Sequence, residues 1–272
     1  ARSNGHVEGA AGGRIRLMLL RWRAAWRTAR TMLDQLCFPR VCAGCDALLT
    51  DRDRGLVCGP CWARLPRLPA PQCDRCGHPR TGARRPEAPC PGCALLAPFV
   101  RAARSLCWVP HPVSSGILAA LKYEGWPGVA DAMGERMARL PWPPDVERER
   151  MAVVPIPLAA AKARERGFNQ AERLAAAVAT RWGLPLVMGV TRTRVTTTQT
   201  RLTPGERLAN VRRAFAAVPA DLPRLSGQHV ILVDDVLTTG ATLNACAGAL
   251  FAAGVRTVSY LTFGRARTVA DH

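Results

Sequence analysis

The chain has 272 residues, 48% of them hydrophobic, enough for one medium domain plus a small one around a real core. Its 38 basic residues against 20 acidic ones leave a formal charge of +18, which points to polyanionic partners, nucleic acid or a phosphate-rich substrate. No apolar run approaches the ~20 residues of a membrane span, and Met18 to Leu20 is too short a core for a signal peptide, so a soluble, cytoplasmic protein is expected. Residues 1–13 are rich in Gly and Ala and are expected to be disordered. From 14 to 36, Ile15, Leu19, Trp22, Trp26, Ala29, Leu33 and Leu36 recur at alternating spacings of four and three, an apolar stripe of helical period flanked by arginines. Such a helix either packs on the module that follows, the preferred reading, or lies on an anionic membrane or nucleic acid.

Four Cys-x-x-Cys pairs come next: Cys42/Cys45, Cys58/Cys61, Cys73/Cys76 and Cys90/Cys93. Two residues between thiolates let both sulfurs reach one metal from a tight knuckle, and two knuckles complete a tetrahedral site, so four pairs predict two structural zinc ions. Gly or Pro lies in or beside each knuckle, as a sharp turn requires. Spacing leaves sequential and crossed pairing equally open. A disulfide framework is the alternative, disfavoured without a secretory signal. The charge splits evenly, 16 Arg against 7 acids in residues 1–98 and 22 Arg plus Lys against 13 acids in 99–272, or +9 in each part. Two zinc ions with eight thiolates would lower the first part by about 4, so the formal charge overstates the case for DNA.

Beyond the last knuckle, residues 101–109 read as a strand, and a helix carrying Ile117 to Leu121 runs into Leu-Lys-Tyr-Glu-Gly (121–125). Residues 141–150 read as a Pro-rich charged connector, and 151–157 as a short strand ending in Pro155-Ile-Pro. A polar, basic stretch, 160–170, leads into an amphipathic helix over 171–182. Lys162, Arg164 and Arg166 thus follow the C-terminal end of a core strand, where a diphosphate could be held by charge and backbone amides. Residues 191–201 are almost all polar and read as a long loop; six Arg against one acid over 191–213 suit a lid closing on a polyphosphate, with Gln199, Arg207 and Asn210 its most specific members.

Residues 229–243 carry the sharpest signal. Val230 to Val233 read as a buried strand; Asp234 and Asp235 stand at its end; Thr-Thr-Gly-Ala-Thr (238–242) then opens into a helical run over 243–253. Strand ends face the ligand crevice of an open α/β sheet, and a short polar turn into a helix gathers amide donors where a phosphate can sit. Paired carboxylates beside it suit sugar hydroxyls or a bound magnesium. A last strand is expected over 255–263, and the alternation of strands and helices argues for a parallel sheet.

The segment resembles the signature of type I phosphoribosyltransferases. That resemblance implies that Asp234 and Asp235 hold the ribose hydroxyls of phosphoribosyl pyrophosphate, and that Leu237, Thr238, Thr239, Gly240, Ala241 and Thr242 wrap its 5-phosphate, with Val236 also at the substrate. Lys162 and Arg166 would neutralise the departing diphosphate, with Pro155 and Gln199 also at the substrate. The whole succession of knuckles, Leu-Lys-Tyr-Glu-Gly, Pro-Ile-Pro, Arg-Gly-Phe-Asn-Gln, Thr-x-x-Gln and Val-Asp-Asp-Val-Leu-Thr-Thr-Gly resembles the ComF family over residues 36–265. The likeness implies a phosphoribosyltransferase-like parallel sheet flanked by helices, preceded by a double zinc ribbon. Its divisions would be a tail and helix (1–36), the zinc module (37–98) and the phosphoribosyltransferase-like domain (99–272). It further implies magnesium with the substrate and a link to DNA uptake in naturally competent bacteria. Two functions follow: a transferase whose acceptor hood is formed by residues 99–127 with the zinc module, or a single-stranded-DNA-binding scaffold with the pocket kept as a sensor and Trp22, Trp26, Trp62 and Trp108 available for stacking. An adaptor within an uptake complex is a third reading.

Overall fold

A computed structural model describes residues 39–50, 53, 55–80, 90–123, 128–193 and 214–267. The amphipathic stripe at 14–36 and the lid residues Gln199, Arg207 and Asn210 lie outside them. At the centre is a four-stranded sheet of β1 (Val100–Val109), β2 (Arg150–Pro155), β5 (His229–Leu237) and β6 (Thr257–Ala266), in the order β1-β6-β5-β2. Every pairing in it is parallel. A short antiparallel pair, β3 (Val190–Arg192) with β4 (Phe215–Ala217), stands apart.

The expected alternation is visible in β5. Ile231 and Val233 join one apolar core with Val153, Leu261 and Phe263; Val230 and Leu232 join a second with Val154, Val258 and Tyr260. Successive side chains point to opposite faces, and both faces are covered, so the strand is apolar throughout. The first core is closed by α2 (Pro112–Lys122), α3 (Gly128–Ala138) and α6 (Gln170–Trp182), through Ile117, Met133, Met137 and Leu174. The second is closed by the short α7 (Leu222–Leu225), through Leu225, and by α8 (Ala241–Ala252), through Leu243, Ala247 and Leu250.

Three local expectations are corrected. The Pro-rich connector holds a short helix, α4 (Pro144–Glu149), because Pro at its first position fits the helical backbone without losing a needed donor. The basic stretch after β2 is itself helical, α5 (Ala160–Arg166), stopped by Gly167 at φ 74°. Thr191 and Arg192, read as loop, belong to β3, held by pairing with Ala216 and Phe215.

The cysteine module, with its short helix α1 (Gly59–Ala63), lies along the free edge of β1. There the Ala103 amide donates to the Arg75 carbonyl at 2.7 Å and the Trp108 amide to the Pro66 carbonyl at 2.8 Å, so an edge open to aggregation is occupied. Among the described residues, no helix is long and apolar enough to cross a membrane.

Candidate functional site: a carboxylate and phosphate-loop cleft beside two metal knuckle pairs

The cysteines resolve into Cys42, Cys45, Cys58, Cys61 and Cys73, Cys76, Cys90, Cys93, the sulfurs of each set lying within 4.8 Å of one another. Pairing is therefore sequential. Sulfurs stand 3.8 Å apart for Cys45 and Cys58, 3.7 Å for Cys73 and Cys93, and 3.4 Å for Cys76 and Cys90. A disulfide would need about 2.05 Å. Four sulfurs about 2.3 Å from a central zinc are separated by roughly 3.8 Å, so the donor sets fit that ion in tetrahedral coordination. The knuckle amides also favour thiolates: burial works against the charged form at Cys42, but the amides of Cys58 and Gly44 outweigh it and bring the thiol down to about 7. His78 is not in either set; it is buried edge-on to Trp108.

At the C-terminal ends of β2 and β5 is a cleft of about 500 Å³, within the usual range of ligand pockets. Its floor is built by β5, which delivers Asp234 and Asp235, and by Thr242 in the first turn of α8. The turn between them closes on Gly240, at φ 75° with no room for a β-carbon: one added there would stand 2.4 Å from the Leu95 carbonyl oxygen. Gly240, the N-cap, has no side chain to cap the start of α8; the Ala241 amide donates to the Thr239 hydroxyl at 3.4 Å, and at this helix start the dipole favours an anion. α6 contrasts, since Asn169 caps it by accepting from the Ala171 amide at 3.1 Å. The opposite wall comes from the β2–α5 loop (Ile156 to Ala159), Lys162 and Arg166 on α5, and Asn169 and Gln170.

The carboxylates are not equivalent. Asp235 is 7% exposed, and the Lys122 ammonium at the end of α2 sits 2.6 Å from its Oδ2. Asp234 accepts the Asp235 amide at 2.8 Å. Burial first, and the neighbouring Asp235 charge second, hold the Asp234 carboxyl well above the ordinary carboxylate range; Lys122 opposes them. Arg166 donates to Gln170 Oε1 at 3.0 Å and lies 4.9 Å over the ring of Tyr123, which is 71% exposed at the cleft rim.

Of the residues singled out in the sequence, the cleft gathers Lys162, Arg166, Asp234, Asp235 and Thr242. Thr238 and Thr239 are exposed in the turn, and Gly240 is buried beneath it. Pro155 ends β2, paired with Val233, one residue before the lining begins. The Leu237 side chain is core, leaving only its backbone to a ligand. Lys122, Tyr123, Asn169, Gln170 and Arg192 also line the cleft without having been assigned to it. Lys122 had a signal, as one of only two lysines; Arg192 had none, because its place depends on the β3–β4 pairing. Trp62 is buried beneath Arg136, its guanidinium 3.7 Å from the ring centroid, and offers no stacking face.

Comparison with known proteins agrees with this arrangement. The phosphoribosyl transferase domain family matches residues 165–268, and the double zinc ribbon family residues 33–94. The DNA utilization protein YhgH of Salmonella typhi is 31% identical over 213 residues, covering 74% of this chain and 87% of that protein. Competence protein ComFC of Bacillus subtilis is 25% identical over 203 residues, covering 73% and 79%. Among solved structures, a B. subtilis glutamine phosphoribosylpyrophosphate amidotransferase aligns with 52% of this chain and 30% of its own at 20% identity, with a TM-score of 0.37, too remote a likeness to bear on the site. With two metal knuckle pairs, a phosphoribosyltransferase-like parallel sheet and relatives of this closeness, the chain belongs to the ComF family of competence and DNA utilization proteins.

Proposed function

We propose that this protein binds phosphoribosyl pyrophosphate with magnesium and, as a transferase, passes the phosphoribosyl group to a nitrogen acceptor in the service of DNA uptake. One observation carries the reading: a carboxylate pair and an uncapped helix start form one side of a single cleft, and Lys162 and Arg166 form the other. The carboxylates supply acceptors for the ribose 2- and 3-hydroxyls. The turn from Thr238 to Gly240 and the first residues of α8, Ala241 and Thr242, offer amides and hydroxyls to the 5-phosphate, and Gly240 lets the backbone approach closely. Lys162 and Arg166, on a wall of their own, face where a diphosphate on C1 would extend. As the C1–oxygen bond breaks, the electron pair leaves with the diphosphate, and fixed cations there stabilise the growing charge. Magnesium, when bound, would screen the charge of the diphosphate, and the cleft's oxygen donors for it would be Asp234 and Asp235, the latter already engaged by Lys122.

The domain division at 37–98 and 99–272 is part of this proposal, as is the acceptor hood. Lys122 and Tyr123 fall within residues 99–127 and line the cleft, which favours that segment as the acceptor side. Single-stranded DNA is the second reading; it is supported by the names of the relatives and by the charge of +18.

The test is calorimetry of phosphoribosyl pyrophosphate with magnesium, comparing wild type with Asp234→Asn/Asp235→Asn. Micromolar binding lost in the variant is expected. No binding by zinc-loaded, folded wild type would overturn the transferase reading.

A further inference from the structure

The second metal site and the phosphate turn meet directly. Cys93 is followed, two residues on, by Leu95, whose carbonyl accepts from Asn244 Nδ2 at 2.9 Å. Asn244 Oδ1 in turn accepts from the Ala97 amide at 2.9 Å and from the Tyr260 hydroxyl at 2.9 Å. Asn244 lies in the first turn of α8, and its own amide donates to the Gly240 carbonyl at 2.8 Å. The same Leu95 carbonyl lies against Gly240 closely enough to forbid a β-carbon there. One side chain thus ties the segment leaving the knuckle, the central strand β6 and the start of α8. The other knuckle of this site is fastened as well: Arg265, fully buried on β6, donates to the Cys76 carbonyl at 2.6 Å. Among the described residues, the first site has no such link to the turn; it abuts α2, where Gly116 packs on the Ala43 carbonyl.

We propose that the second zinc ribbon is the support of the phosphate turn, and that Asn244 is the positioning residue that connects them. Within the turn, the Ala241 amide has one long bond, 3.4 Å to the exposed Thr239 hydroxyl, and Gly240 supplies no cap, so the buried Asn244–Leu95 contact is the firmer hold on the direction of its amides. A site that binds a phosphate through fixed amides needs them held before the ligand arrives. Asn244 does not line the cleft; it acts through the Leu95–Gly240 contact. The inference rests on the proposed reading of the cleft only for what the turn binds.

The experiment is hydrogen exchange of the peptide covering 236–245, together with calorimetry using ribose 5-phosphate as probe, on the full chain. Asn244→Ala should speed exchange of the turn by about tenfold, the effect expected from losing one or two hydrogen bonds, while peptides from β1 and β5 stay protected. Cys93→Ser, which opens the second metal site, should do the same, and the two changes made together should fall short of the product of their separate effects. Asn244→Asp keeps the acceptor for Ala97 and Tyr260 and loses only the donor to Leu95; its turn should also exchange faster, and it serves if the alanine variant does not fold. Unchanged turn exchange in these variants, or independent effects of Asn244 and Cys93, would overturn the proposal. If wild type binds no ribose 5-phosphate, the reading of the cleft fails, while the exchange data still decide the mechanical link.

Discussion

Replacing Lys122 with Met keeps the aliphatic stem and removes the charge beside the carboxylates. The ammonium is 2.6 Å from Asp235, with side chains 23% and 10% exposed. At an effective dielectric of ~20, two unit charges at that distance attract by about 6 kcal/mol. Desolvation cancels much of this, leaving a net effect of about 2 kcal/mol on the ionised pair. Removing that attraction disfavours the ionised form of Asp234, whose carboxyl should move further up. Burial and mutual repulsion already raise Asp234, and Lys122 counters both, so its loss adds to the existing direction. A carboxylate must be ionised to accept two sugar hydroxyls well, so affinity for phosphoribosyl pyrophosphate should fall as pH drops through the range where Asp234 takes up its proton, with the midpoint read from the affinity itself. In Lys122→Met that fall should come at higher pH. The assay is the calorimetric affinity from about pH 5 to 9 for wild type and variant, the ligand's own phosphate titration cancelling in the difference. A midpoint that stays put or moves down would refute the coupling of Lys122 to the pair.

Asp234→Asn should stabilise the fold at neutral pH while abolishing ligand binding. Unfolded, Asp234 ionises near 3.8; folded, it does so well above, so its contribution favours the fold below the unfolded value and is lost as pH rises toward the folded one. The variant's Tm should exceed wild type by about 2–6 °C at pH 7, with the difference closing toward pH 4; a lower Tm at pH 7 would contradict the burial argument. Gly240→Ala meets both a left-handed backbone and the Leu95 carbonyl, and should cost about 2–4 kcal/mol in chemical denaturation, where a loss under 1 kcal/mol would show the contact to be soft. Native mass spectrometry should find two zinc ions in wild type and one in Cys61→Ser, and a strong chelator should unfold the module over 39–95; retention of its structure without metal would oppose a structural role.

How far the sequence discloses this molecule depends on how local the determinant is. The apolar run Val230 to Val233 and the carboxylates after it need only their neighbours to be read, and the knuckles carry their turn residues with them. Helix α3 was not anticipated: its buried Met133 and Met137 are mixed with Asp131, Glu135 and Arg136, and its partner α6 lies about forty residues downstream. Both orders of knuckle pairing satisfy the same spacing, so only three-dimensional proximity chose between them. The union of Lys122 with Asp235 spans a crossing from one side of the sheet to the middle, and no periodicity within either segment encodes it. Arg265, an arginine in the core, reads from sequence as a surface residue; its reason is the Cys76 carbonyl far away in the chain.

The position of β6 has a consequence for biosynthesis. It is the last described strand in sequence yet lies inside the sheet, between β1 and β5, and the β1–β6 pairs join residues roughly 157 apart, as Ala103 with Tyr260. Until a ribosome has released Thr257–Ala266, β1 and β5 have no neighbour to share. The cysteine module emerges before the sheet and can collect metal on its own schedule, but it then waits beside an unfilled edge. Closure of so many distant contacts is slow, and unpaired strands are prone to associate meanwhile. A nascent chain held before residue 257 should therefore be a chaperone client, already metal-loaded at one end and still unable to form its sugar-phosphate cleft at the other.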